Sequence, residues 1–166
     1  NKYILSDNKE ISSFSDIYYK GIFTTDHFSP LPIRVSTIAD ELKIASSGQS
    51  DIFAFAPHAS QAFATGGHAA TGAYWIDDLS GAWATSTFYN PQRSVVEQHN
   101  KTLESLSKKI HSITWRPAVD ISNYNAFPYT KNLYNFQHYF NSDKKNGFRL
   151  LKQSPYANSE VRIIAE

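Results

Sequence analysis

Hydrophobic and polar positions along the chain predict a mixed order of helices and strands. Residues 1–35 show no clean period: "SSFSDIYYKGIFTTDHFSPLP" mixes aromatics with Gly, Pro and Ser and reads as loop with room for a short strand. The stretch "STIADELKIASSG" predicts a helix over 37–46. Thr37 and Asp40 make a capping box, Ile38, Leu42 and Ala45 line one face, and Gly48 stops it. "DIFAFA", 51–56, is a short apolar run suited to a buried strand. Pro57 then opens a helix from His58 to about Ala64 that Gly66-Gly67 closes. Two strand-like runs, near 73–77 and 83–89, flank the turn residues "DLSG" and predict a β-hairpin. A long helix is expected over 91–109, with Val95, His99, Leu103, Leu106 and Ile110 on one stripe. Residues 114–127 read as loop and "YTKNLYNFQHYF" as helix, and "SDKKNG" is a solvated turn. A last helix follows, with Ser154 as cap and Pro155 at its first position.

Composition narrows the class. The 166 residues form one domain large enough for a true core, and nothing resembling a linker or repeat divides them. A formal net charge of +1 argues against a dedicated nucleic-acid binder. No apolar run approaches the ~20 residues of a membrane span, and "NKYILSDNKE" is not a signal peptide. Cysteine is absent, which removes disulfides and thiolate chemistry and leaves the redox compartment unread.

Candidate chemistry is sparse. The strand, tight turn and helix start over 51–60 aim unpaired N–H groups and a positive dipole end at one spot, which could hold a phosphate oxygen or only water. The six histidines are scattered, and none has the spacing of a helical zinc pair. Asp26-His27 could give two zinc ligands or serve the loop alone. Gly66-Gly67-His68 and Gly72 follow a helix instead of opening one, so they are no dinucleotide fingerprint. Neither a P-loop nor a Gly-x-Ser-x-Gly elbow occurs. Asp77-Asp78 could be a paired acid site or turn residues bonding their own backbone. Tyr74, Trp75, Trp83, Phe88 and Tyr89 could stack a sugar or base, or pack a half-buried hairpin. These residues alone describe a mixed α and β domain without a self-contained catalytic constellation.

A denser pattern runs from 36 to 89. Ser36-Thr37, Asp40-Glu41-Leu42, Gly67-His68-Ala69-Ala70, Ala73-Tyr74-Trp75-Ile76-Asp77-Asp78, Ser80-Gly81-Ala82-Trp83 and Thr85-Ser86-Thr87-Phe88-Tyr89 stand in order, with "SPYANSEV" further on. This arrangement resembles the alkaline phosphatase superfamily, in the branch of type I phosphodiesterase/nucleotide pyrophosphatase-like proteins. The resemblance is dense over 36–89 and patchy over 90–150. It implies an α/β fold, a slice of an alkaline-phosphatase-like α/β/α core with a β-hairpin and peripheral helices. Residues 1–166 would be a single partial domain, an internal segment of a longer phosphatase- or phosphodiesterase-like protein.

The same resemblance implies zinc-dependent hydrolysis of phosphate esters, with a Thr or Ser nucleophile and two metals clamping the reacting oxygens. Its nucleophile and metal-binding Asp and His residues would lie upstream and downstream of this chain, so no catalytic or metal role is carried onto Asp26-His27. One phosphate contact would fall inside. Where the phosphomonoesterase branch carries Lys-x-Arg at a strand-to-helix corner, this chain carries His58 and Ser60. Arg forks onto two phosphate oxygens and Ser does not, so the monoesterase pocket is altered. Two functions remain open. One is a segment of a metal-dependent phosphodiesterase or pyrophosphatase acting on a phosphate ester or nucleotide, inactive in isolation. The other is a non-catalytic binding module on a degenerate scaffold. The resemblance suggests a bacterial periplasm or cell surface.

Overall fold

The computed structural model describes residues 2–4, 10–89, 93–125, 136–140 and 146–166. Short strands β1 (Lys2–Ile4) and β2 (Glu10–Ser12) pair with each other. The centre is a sheet in the order β3 (Gly21–Ile22), β6 (Trp83–Ser86), β5 (Gly72–Ile76), β4 (Phe53–Ala56). Strands β4 and β5 run parallel, and helix α2 (Ala59–Gly66) makes the crossover that a parallel pair requires. The hairpin β5–β6 is antiparallel, with Trp75 opposite Ala84 and Ile76 opposite Trp83.

All five residues of β5 are buried, so both faces of the sheet are covered. The strand period of two divides its side chains between them. Ala73 and Trp75 join Ala54, Ala56, Ala62, Phe63, Ala84 and Tyr89 on one face. Tyr74 and Ile76 join Trp83, Val96, Leu106, Ile110, Phe140, Leu151 and Ile164 on the other. The first cluster is rich in alanine because α2 lies close on the sheet. A Cβ added to Gly66 would sit 3.2–3.4 Å from the Cβ atoms of Ala54, Ala70 and Ala73. The small residues of "FATGGHAATGA" are therefore a packing surface. The second cluster lies under α3 (Arg93–Lys101), α4 (Leu106–Lys109), α5 (Gly147–Leu151) and α6 (Tyr156–Ala165). The result is the expected mixed α/β layering with a central hairpin.

Several elements differ from the sequence expectation. Helix α1 (Ile38–Ala45) has its capping box, but it buries Ala39 and Asp40 while Ile38 and Leu42 are 68% and 51% exposed and Ala45 is exposed too. Pro57 stands outside α2; His58 is the N-cap and the helix begins at Ala59. Strand β6 ends at Ser86, and residues 87–89 form a 3₁₀ turn. The helix expected over 91–109 breaks between Lys101 and Leu106, which leaves Leu103 exposed. Residues 91–92 and the side chain of Val95 lie outside the description. Thr114–Trp115 and His138–Tyr139 pair as strands β7 and β8, so the end of the helix expected over 129–140 is extended. Residues 126–135 and most of the turn at 142–147 lie outside the described residues. The N-cap of α6 is Pro155, and the Ser154 hydroxyl bonds back to the Leu151 carbonyl instead of capping the helix.

Candidate functional site

Strands β4 and β5 end side by side at Ala56 and Ile76. Open α/β sheets place ligand sites beyond the carboxyl ends of parallel strands, and the residues here come from four segments. His58 caps α2 in an extended conformation (φ −117°, ψ 143°), and its carbonyl accepts from Gln61 and Ala62 N–H at 3.1 Å each. Its side chain makes no cap bond and is partly buried. Burial, then the Lys152 ammonium, hold the imidazole below its usual 6.5, with Asp78 opposing, so His58 is neutral near neutral pH. Ser60 lies two residues further along, at the second position of α2, partly buried.

Asp77 and Asp78 follow β5 and do different things. Asp77 is buried and holds the turn: it accepts from Leu79 N at 3.1 Å, from Ser80 N and Ser80 Oγ at 2.7 Å each, and from Thr24 Oγ1. Asp78 pairs with Lys152, which arrives from the end of α5 and also donates to the Ile76 carbonyl at 2.9 Å. The loop after β3 adds Asp26, whose carboxyl is raised above its usual value by burial and then by Asp77 and Asp78. Phe23 opens that loop at φ 64°, a left-handed backbone costing roughly 1–2 kcal/mol in a residue with a side chain. The Thr24–Asp77 bond ties this loop to the hairpin turn.

Three carboxylates, one buried ammonium and a neutral imidazole thus gather at the sheet end. Among the described residues they do not group as zinc ligands. Asp77 is fully engaged by the turn, Asp78 by Lys152, and among the described residues no group of three or more His, Asp or Glu is placed to hold a metal. His27 is exposed beside Asp26.

The Gly67-His68-Ala69 segment lies elsewhere and is a staple. His68 N–H and Ala69 N–H both donate to Asp40 Oδ1 at 2.8 Å, while Thr37 N–H donates to Oδ2 of the same carboxylate at 2.8 Å. Gly67 (φ 58°) has no room for a Cβ, which would strike Thr37 Oγ1 and the Asp40 carboxylate. Tyr89 donates its hydroxyl to the Gly67 carbonyl at 2.6 Å. The motif locks α1 to the end of α2 and to the 3₁₀ turn after the hairpin.

No family model matches the chain. Over 145 residues it is 30% identical to a calcium-transporting ATPase of Myroides odoratus, covering 79% of this chain and 26% of that protein. The alkaline phosphatase PhoV of Synechococcus elongatus is 29% identical over 142 residues, with the same coverage. Among solved structures, a variant of alkaline phosphatase PafA superposes with a TM-score of 0.73 over 95% of this chain and 33% of that one, at 22% identity. The chain belongs to the alkaline phosphatase superfamily. It spans about a quarter of the length of the curated relatives it matches. The superfamily pattern over 36–89 falls on α1, the β4–α2–β5 crossover and the hairpin. Most of its distinctive residues hold these elements together. Those facing the sheet end are His58 and Asp78. Lys152, which pairs with Asp78, carries no local sequence signal, being 76 residues from the carbonyl it binds.

Proposed function

We propose that this superfamily segment is part of a metal-dependent phosphoric ester hydrolase of the phosphodiesterase or nucleotide pyrophosphatase kind, and that it is inert by itself. In this reading His58 and Ser60 are the remnant of a phosphate contact, and zinc is held by the whole protein outside this segment. The observation that carries the reading is the corner itself. A neutral imidazole and a hydroxyl stand at the start of α2, where a Lys-x-Arg pair would grip a dianion. A phosphodiester carries one negative charge less than a monoester and needs less cationic grip. A second reading, a binding module on a degenerate scaffold, is favoured by the engagement of Lys152 with Asp78.

Hydrolysis tests both. With zinc supplied, the isolated chain is expected to cleave neither p-nitrophenyl phosphate nor bis-p-nitrophenyl phosphate. The whole protein is expected to prefer the diester. Zinc-dependent turnover by the isolated chain that disappears in His58→Ala would overturn its inertness. A preference of the whole protein for the monoester would overturn the diesterase assignment. A whole protein inert to both esters that still retains a nucleotide or glycan would establish the second reading.

A further inference from the structure

We infer that Lys152 is the cation that meets an oxyanion at this corner, and that Asp78 is an internal anion competing with the ligand for it. The inference rests on the preceding reading for the choice of phosphate as the oxyanion. The corner no longer carries cations of its own on α2, yet it has not lost positive charge. Lys152 brings an ammonium to it from the end of α5, 94 positions from His58: its Nζ sits on the Ile76 carbonyl, and the Ile76 N–H donates to the carbonyl of Pro57, next to His58, at 3.3 Å. Its side chain is 3% exposed and its Nζ is aimed by the Ile76 carbonyl, at the carboxyl end of β5. An ammonium has three donors. The Ile76 carbonyl takes one and Asp78 another.

The two carboxylates after β5 are not equivalent. Asp77 is buried and saturated by the turn, whereas Asp78 is 47% exposed and rests on Lys152. Asp78 can therefore swing into water, while Lys152 cannot leave without burying a charge unpaired. An arriving phosphoryl oxygen replaces the Asp78 carboxylate, one oxyanion for another, at the same ammonium. His58 lies within electrostatic reach of both Lys152 and Asp78, and the exposed Arg149 adds positive charge to the approach. The pair closes the corner to a weakly held anion, and Asp78 sets how tightly an anion is held.

The test is inorganic phosphate titrated into the chain, read from the imidazole resonances of His58 by NMR. The wild-type chain is expected to respond weakly at millimolar phosphate. Asp78→Asn removes the competing charge and is expected to tighten the response by about tenfold or more, the scale of one charge-assisted contact. Asp78→Ala, which leaves no side-chain acceptor, is expected to do the same. Adding Lys152→Met to Asp78→Asn is expected to abolish the response, with backbone amide dispersion confirming the fold. An unchanged response in both Asp78 variants overturns the inference. So does a tightened response that survives loss of Lys152. These outcomes are independent of turnover, so a whole protein without diesterase activity would sink the functional reading and leave this one standing.

Discussion

Asp40 shows how much one side chain of this chain does. The capping box with Thr37 is legible in the sequence, because a threonine three residues before an acid at a helix start is a local signal. The bonds from His68 and Ala69 to the same carboxylate are not legible, because they join residues 28 and 29 positions apart. Burial resists ionisation of Asp40, but the hydrogen bonds from Thr37, Ala69 and His68 outweigh it and hold the carboxyl below its usual 3.8. Asp40→Asn places an amide NH₂ against backbone donors and is expected to cost about 2 kcal/mol near neutral pH. The folded-state value is depressed, so the wild-type advantage is complete above the unfolded value and drains as pH falls through the folded one. Urea unfolding should therefore show a gap between wild type and variant that is wide near neutral pH and narrows as pH falls below 3.8. A gap of constant width would mean that the hydrogen bonds do not depend on the charge.

At the scale of elements, α1 buries the side that its sequence would leave outside. The period of Ile38, Leu42 and Ala45 marks an apolar stripe, yet the face against α2 is Ala39 and Asp40. Small Ala39 admits close approach, and the Asp40 carboxylate satisfies the backbone donors of the Gly67–Ala69 segment beneath it. Hydrophobic period says that a stripe needs cover; it does not say what covers it. Leu42→Gln is accordingly expected to change unfolding free energy by less than about 0.5 kcal/mol, as surface substitutions do. Denaturant titration of the chain checks this, and a loss of core-like size would place Leu42 inside. The long helix expected over 91–109 fails for a related reason. Thr102 and Ser105 carry turn bonds of their own, and Lys108 Nζ reaches back to the carbonyls of Lys101 and Thr102 at 2.6 and 2.8 Å, ending α3 there. The break turns Leu106 and Ile110 into the second core cluster.

Across the whole molecule the sheet with helices on both faces decides stability and its response to acid. His58 and His99, from separate elements, both have imidazoles depressed below 6.5, chiefly by burial and then by the neighbouring lysines, Lys152 and Lys109. The unfolded chain binds those protons first, so stability is expected to fall as pH drops from 6.5 toward the folded-state values. His99 Nε2 is buried without a hydrogen-bond partner, and His99→Gln is expected to flatten part of this decline in unfolding curves taken across that range. An unaltered decline would assign it elsewhere. What the sequence by itself determined is local: the capping box, the β4–α2–β5 order, the hairpin turn at Asp78–Gly81, and the dense pattern over 36–89 that marks the alkaline phosphatase superfamily. These rest on turn chemistry, caps and strand period, which act over a few residues. Only the tertiary structure decided that Asp78 meets Lys152, that Gly67-His68 is a staple, and which side of α1 is covered. Each of those depends on groups brought together from distant parts of the chain, where burial and hydrogen bonding set the outcome and no local pattern records it.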